Sequence, residues 1–377
     1  MRGGAWLVVA ALAATAFSAT SAVARNQWSN YHWEFPAGQT QLTINVNNCQ
    51  VDPNLYGYTV ANHFSGPNDD WHDIIDGGTG AGAIVLIDDG ACLAPDTDPN
   101  DPLGNFNTRS DAFLYNATLT NPADEGTVNA FNADYGDTRW VGLAIIRIEQ
   151  SSGDNHIVYG EVYLNDYYAT VSNTYNNALV MRKVQCQEIG HTFGLDHVKR
   201  DNSCMYSSAA FVGSTYTPNG HDGSMVNKIT DGHGGSEPTD DGGGGGDPCA
   251  KKNPPKKCGA AGVFRGKANW AEGYGSRGEM YEAADLVVSV SVLNGSLFNR
   301  MVGAPGRALP VSQAVLQIRA TFKGKAKGVI RVEHTRGLGL EIVDDPAYVN
   351  GDNYLLYLRQ IGPNTFRVLN PQGRIPQ

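Results

Sequence analysis

The chain has 377 residues, 41% of them hydrophobic, and a formal net charge of −10. That is the composition of a globular protein with a sizeable core and about two domains. Beyond the N-terminus no stretch is apolar enough to span a bilayer, which excludes a membrane-spanning body.

The first 24 residues read as a secretory leader. Arg2 supplies the charged start, residues 6–17 an apolar run too short to cross a membrane, and Ala22-Val23-Ala24 a small-residue cleavage site. The mature chain is expected to begin near Arg25 and to be secreted. The six cysteines (Cys49, Cys92, Cys186, Cys204, Cys249 and Cys258) then read as disulfides, and none forms a C-x-x-C zinc pair. Charge is unevenly spread. Residues 25–248 hold 9 basic and 29 acidic side chains, whereas residues 249–377 hold 18 basic and 9 acidic ones. Either the two parts are independently soluble surfaces, or the basic part docks on the acidic one or on an anionic cell surface.

Residues 42–46 alternate as a strand does, and 83–87 form a β-branched run that ends in Asp88-Asp89-Gly90. Residues 141–148 and 157–164 read as neighbouring strands around the turn-rich break at 151–155. From Asn177 to Gly194 the pattern becomes helical, with Asn176 or Asn177 as N-cap and Gly194 as stop. Residues 231–259 are rich in Gly, Pro and Asp and read as a linker. Strand-like runs follow at 286–292, 315–320, 329–333, 354–359 and 365–369, which suit a small sandwich or barrel.

The run that names a chemistry is Gln187-Glu188-Ile189-Gly190-His191-Thr192-Phe193-Gly194-Leu195-Asp196-His197. It differs from the long zinc-protease signature H-E-x-x-H-x-x-G-x-x-H at the first position only. On a helix, Gln187 and His191 project from one face a turn apart, with Glu188 beside them. Gly194 ends the helix in a sharp turn that returns His197 to the same point. Three protein donors with a fourth position open to water mark a catalytic zinc site.

Cys204-Met205-Tyr206 follows after a polar loop, and with it the run resembles the metzincin superfamily, in particular the matrixin-like proteases. Pro218-Asn219-Gly220-His221-Asp222 and Tyr31-His32-Trp33 are similar to further matrixin segments. The resemblance spans roughly residues 25–231. It implies an α+β fold: a metzincin-like catalytic domain at 25–232 with a mixed sheet, an active-site helix and a Met-turn at Met205. A linker at 233–258 and a small all-β accessory domain at 259–377 would follow. It also implies a secreted zinc endopeptidase acting on protein or peptide substrates, with Glu188 as general base and Gln187, His191 and His197 as metal ligands. Gly194 shapes the site in this reading, and Cys186 and Cys204 would staple helix to Met-turn. Residues 157–164 would be the strand at the cleft edge that pairs with extended substrate.

Gln187 leaves three readings open. It binds zinc through its side-chain oxygen, water or Asp196 fills its place, or the chain is a pseudoprotease that binds peptides through the same cleft.

Asp96-Thr97-Asp98-Pro99-Asn100-Asp101 resembles the start of a calcium loop, but lacks the glycine and glutamate of an EF-hand. A surface Ca2+ site and a solvated acidic loop both fit it. Lys323-Gly324-Lys325-Ala326-Lys327 is a basic turn without interleaved aromatics, so no nucleic-acid partner is expected. The C-terminal part resembles small netrin-like, protease-inhibitor-like barrels. It would target the enzyme, bind a surface, or cover the cleft electrostatically.

Overall fold

The computed structural model describes residues 26–35, 41–49, 70–76, 84–88, 126–151, 154–198, 202–207, 216–231, 263–303, 308–337 and 340–377. The leader, Cys92, the acidic loop at 96–101, and the expected linker with Cys249 and Cys258 lie outside them. The described residues form a mixed α+β structure, rich in strands and poor in helix. No helix among them is long and apolar enough to cross a membrane.

The larger sheet grows from the alternating runs. Its body is β1 (Tyr31–Trp33), β2 (Leu42–Cys49), β3 (Ile84–Asp88), β4 (Thr127–Ala133), β5 (Trp140–Ser151) and β6 (Asp154–Asn165). β3, β2, β4 and β6 pair in parallel in that order, and β1 joins β6. β5 folds back antiparallel on β6. Residues 157–164, expected at the cleft edge, are therefore interior, flanked by β4 and β5. The two strands of this hairpin share one apolar pattern, with Ile145, Ile146, Val162 and Leu164 all fully buried. Pattern alone does not say which of them lies outside.

One face of the sheet is covered by α1 (Asp70–Asp76), α2 (Asp166–Val171), α3 (Ala178–Thr192) and α4 (Gly220–Asp231). Its core includes Trp28, Trp33, Trp71, Ile146, Val162, Val184, Ile189, Phe193 and Met205. Burial of each such side chain contributes about 1.5–3 kcal/mol. Two of the indoles also serve α3: Trp33 Nε1 donates to Thr192 O at 2.9 Å and Trp71 Nε1 to Cys186 O at 3.2 Å.

The chain beyond residue 262 adds strands to this same sheet. β7 (Val263–Trp270) runs antiparallel along β5, from Ile148 opposite Val263 to Trp140 opposite Trp270. Three residues of β11 (Leu340–Ile342) then pair in parallel with β7. Strands from both sides of the undescribed segment 232–262 thus share one sheet. After α5 (Arg277–Ala283), the expected strands pair with one another. β8 (Leu286–Val302), β9 (Leu309–Lys323), β10 (Val329–Thr335), β13 (Thr365–Val368) and β12 (Asn353–Gly362) close a ring in that order, with β10 and β13 parallel. β14 (Arg374–Pro376) extends it beside β12. Barrel and sheet are cross-linked. Arg139 contacts Glu272 at 2.7 Å and Leu369 O at 3.3 Å, Trp140 Nε1 donates to Thr335 Oγ1 at 3.1 Å, and Arg367 donates to Asp137 O.

His334 on β10 is buried, packs its ring on Tyr348 and has no partner on either ring nitrogen. Burial holds its pKa down to about 4; Arg336 and Arg374 act in the same direction, while Asp345 and Glu333 oppose them. Between pH 6.5 and 4 the unfolded chain takes up a proton that the fold refuses, so stability falls as pH drops through that window. The loss approaches about 3 kcal/mol at its lower end. His334→Leu is expected to flatten this slope, read as the urea midpoint at pH 7 against pH 4.5.

Candidate metal centre

α3 starts where Asn177 accepts hydrogen bonds from the amides of Leu179 and Val180. Every residue from Lys183 to Thr192 is buried. Burying Lys183, Gln185, Gln187, Glu188, His191 and Thr192 in one helix costs free energy unless each is hydrogen-bonded or paired. Small residues make the close packing possible. A Cβ on Gly190 would run into Met205 Sδ and Trp71, so this glycine lets the methionine lie directly beneath the helix. Cys186 and Cys204 are disulfide-bonded, with Cα atoms 6.0 Å apart, as the resemblance implied. Cys49 is disulfide-bonded as well.

The turn after α3 depends on Gly194, whose φ of 85° lies in the left-handed region and whose missing Cβ makes room for Tyr31 O. Two backbone bonds hold the turn to the N-terminal segment: Trp28 N to Gly194 O at 2.7 Å and Asp196 N to Asn26 O at 2.6 Å. The turn at Met205 is held by Asp222 on α4. This buried carboxylate accepts from Ser203 Oγ at 2.5 Å, Asn219 N at 3.0 Å and Asn26 Nδ2 at 3.2 Å, and Ser203 Oγ in turn accepts from Met205 N at 2.9 Å.

These supports bring His191 and His197 together, with their Nε2 atoms 3.2 Å apart. Two tetrahedral zinc ligands at ordinary bond lengths lie about 3.3 Å apart. His191 Nδ1 donates to Leu195 O at 2.7 Å, which leaves the Nε2 lone pair facing His197. Burial, then His197 and Lys267, lower the His191 pKa well below its usual value. Burial and Lys267 bring His197 down to about 4. Both rings are therefore neutral at pH 7, the form in which imidazole binds metal. Glu188 is fully buried, and no side chain donates a hydrogen bond to either of its carboxylate oxygens. Burial raises its pKa well above the usual range, against the pull of the Ala144 backbone and Lys267.

Gln187 is oriented from both ends. Its Nε2 donates to Tyr206 O at 2.9 Å, and its Oε1 accepts from Asn269 Nδ2. The oxygen therefore keeps one lone pair. Asp196, considered as a substitute ligand, is committed elsewhere: Oδ1 accepts from the His197 amide at 2.6 Å and from Lys267 Nζ at 2.8 Å. Burial would raise its pKa, but Lys267 and His197 outweigh burial and lower it strongly.

Lys267 and Asn269 on β7 are residues that the sequence reading missed. Burial disfavours the Lys267 charge, yet Asp344 and Asp196 beside it keep the ammonium pKa above its ordinary value. Only the alternation Arg265-Gly266-Lys267-Ala268-Asn269 hinted at a strand there, and nothing local linked it to the helix.

No protein-family model matches the chain, and no curated protein does either. Among the described residues no group of three or more His, Cys, Asp and Glu side chains is placed to hold a metal. The donors that the resemblance implies are two imidazoles, which the fold brings together, and one amide oxygen, which it orients through Asn269. Imidazole nitrogens suit zinc, and an amide oxygen would be the weaker ligand.

Proposed function

We propose that this chain is a zinc-dependent endopeptidase of metzincin-like design, exported to an oxidising compartment. One observation carries the reading: two neutral imidazole nitrogens converge at 3.2 Å, and the helix that supplies His191 also buries the Glu188 carboxylate without a side-chain partner. A buried, unpartnered carboxylate is costly, and it has a physical rationale where a cation and a water are to meet it. His191 Nε2, His197 Nε2 and Gln187 Oε1 would hold the zinc. When bound, the ion supplies positive charge that acidifies water and polarises a peptide carbonyl. Glu188 takes a proton from the attacking water and hands it to the departing amine. Leu195 O keeps His191 in the tautomer that presents Nε2, and Met205 floors the helix from below. The leader-like N-terminus and the Cys186–Cys204 bond support export, since disulfides persist in oxidising surroundings.

A catalytically impaired, peptide-binding chain is the second reading. It is favoured by the double engagement of Gln187, which leaves its oxygen half-occupied. Elemental analysis of the purified mature protein, with a casein-type assay, separates the two. We expect about one zinc per chain and hydrolysis that a chelator abolishes and added zinc restores. A protein that neither retains zinc nor cleaves at saturating zinc is the impaired form.

A further inference from the structure

β5 lies directly against α3, since a Cβ on Gly142 would run into Glu188 Oε1 and Val184. On its far side β7 follows in antiparallel register, with Asn269 opposite Gly142 and Lys267 opposite Ala144. Strand alternation puts Lys267 and Asn269 on the α3 side and Gly266 and Ala268 on the other. Asn269 Nδ2 reaches Gln187 Oε1, and Lys267 Nζ lies 2.8 Å from Asp196 and 4.0 Å from Asp344. A piece of extended chain thus crosses the metal centre with two polar side chains directed into it.

We propose that β7 is a resident ligand of a peptide groove on the β5 edge, and that the groove takes extended basic segments. In such a segment a Lys or Arg reaches Asp196, and a short polar side chain two residues later reaches Gln187. The proposal rests on the peptidase reading only in placing Glu188 beside the groove; strand pairing and charge recognition need no hydrolysis.

Charge complementarity supports it. The groove belongs to the part of the chain with 9 basic and 29 acidic residues, and β7 to the part with 18 basic and 9 acidic ones. β7 is held by its ladder to β5 and by Phe264 and Ala268 in the core on the other face of the sheet, and less so on its outer edge. Its outer flank pairs with only the three residues of β11. In the Lys267–Asp196 pair the lysine is buried and the aspartate half-exposed, and a pair so placed adds little net stability. Asp344 follows β11 in sequence, whereas Asp196 is part of the groove itself. A strand on the same chain nevertheless competes at an effective concentration of order mM, enough to keep free peptides out.

The test uses the full chain, stripped of metal by a chelator. A labelled peptide with the eight-residue sequence Val263–Trp270 is titrated into the wild type and into the Lys267→Ala/Asn269→Ala variant. The variant is expected to bind the peptide about tenfold tighter than the wild type or better. The same peptide carrying Lys267→Glu is expected to bind neither. Equal binding by both proteins, or none by a variant with the wild-type circular dichroism spectrum, overturns the proposal, as does undiminished binding of the Lys267→Glu peptide. Should the variant not fold, amide exchange in the wild type decides. β7 amides are expected to exchange about tenfold faster than those of β6 or more, reporting local opening. Exchange of both strands at one common rate overturns it. A protein that cleaves nothing can pass these tests, and an active peptidase can fail them.

Discussion

Replacing Glu188 by glutamine is expected to give a protein that is more stable and catalytically silent. The wild-type carboxylate is fully buried, no side chain donates to it, and the Ala144 backbone amide offsets its burial only in part. Burying a carboxylate without partners costs several kcal/mol if it is charged, and a proton must be taken up if it is not. A neutral amide of the same shape still leaves polar atoms unsatisfied, at a smaller cost of about 1–3 kcal/mol. The net gain should be about 1–2 kcal/mol in metal-free protein. Chemical denaturation of chelator-stripped wild type and Glu188→Gln measures it, and a peptide assay reads the loss of hydrolysis. Glu188→Ala is a poorer probe because it opens a void beside Gly142, which packs against the Glu188 side chain. A Glu188→Gln protein less stable than the wild type would remove the orphaned-carboxylate argument.

Gly194→Ala should have the largest stability cost of any single methyl added near the centre. Two terms combine. A φ of 85° is unfavourable for any residue with a Cβ, and that Cβ would strike the Tyr31 carbonyl, which is backbone and cannot swing aside. Together these cost about 3 kcal/mol. Gly136 is the matched control: its φ is 69°, and a Cβ there meets nothing within 4 Å. Gly136→Ala should therefore show the backbone term alone, about 1 kcal/mol. The urea midpoints of the two variants give the comparison. Because the Gly194 turn leads to His197, the first variant should also retain less zinc, whereas the second should not.

What was legible in the sequence is what local chemistry encodes. Asn177 and Gly194 mark the ends of one turn-bounded helix, and the spacing of His191 and His197 brings both rings to one point. Cys186 and Cys204 stand next to Gln187 and Met205, so the staple followed from the implied fold. The strands of the barrel were visible because glycine, proline and asparagine separate β-branched runs. The arrangement around β5 was not visible, for two different reasons. β5 and β6 carry equivalent apolar patterns, so their order in the sheet depends on a third partner. That partner, β7, is short, half polar and interrupted by Gly266, so its strand character comes from the ladder it completes. The roles of Lys267 and Asn269 are long-range facts, fixed by a register that no neighbouring residue announces.

The β5–β7 ladder has a consequence for how the molecule is made. The residues it joins are 115 positions apart at Ile148 and Val263 and 130 apart at Trp140 and Trp270. Closing so long a loop loses chain entropy before any ladder bond forms, and contacts of this span slow folding. During synthesis the helix, the Met-turn and both histidines emerge well before β7. For that interval β5 is a bare strand edge, the kind of surface on which chains associate with one another. Completion of the sheet is therefore timed by the C-terminal part of the chain, and the protein reaches its final strand order only once β7 and β11 have been delivered.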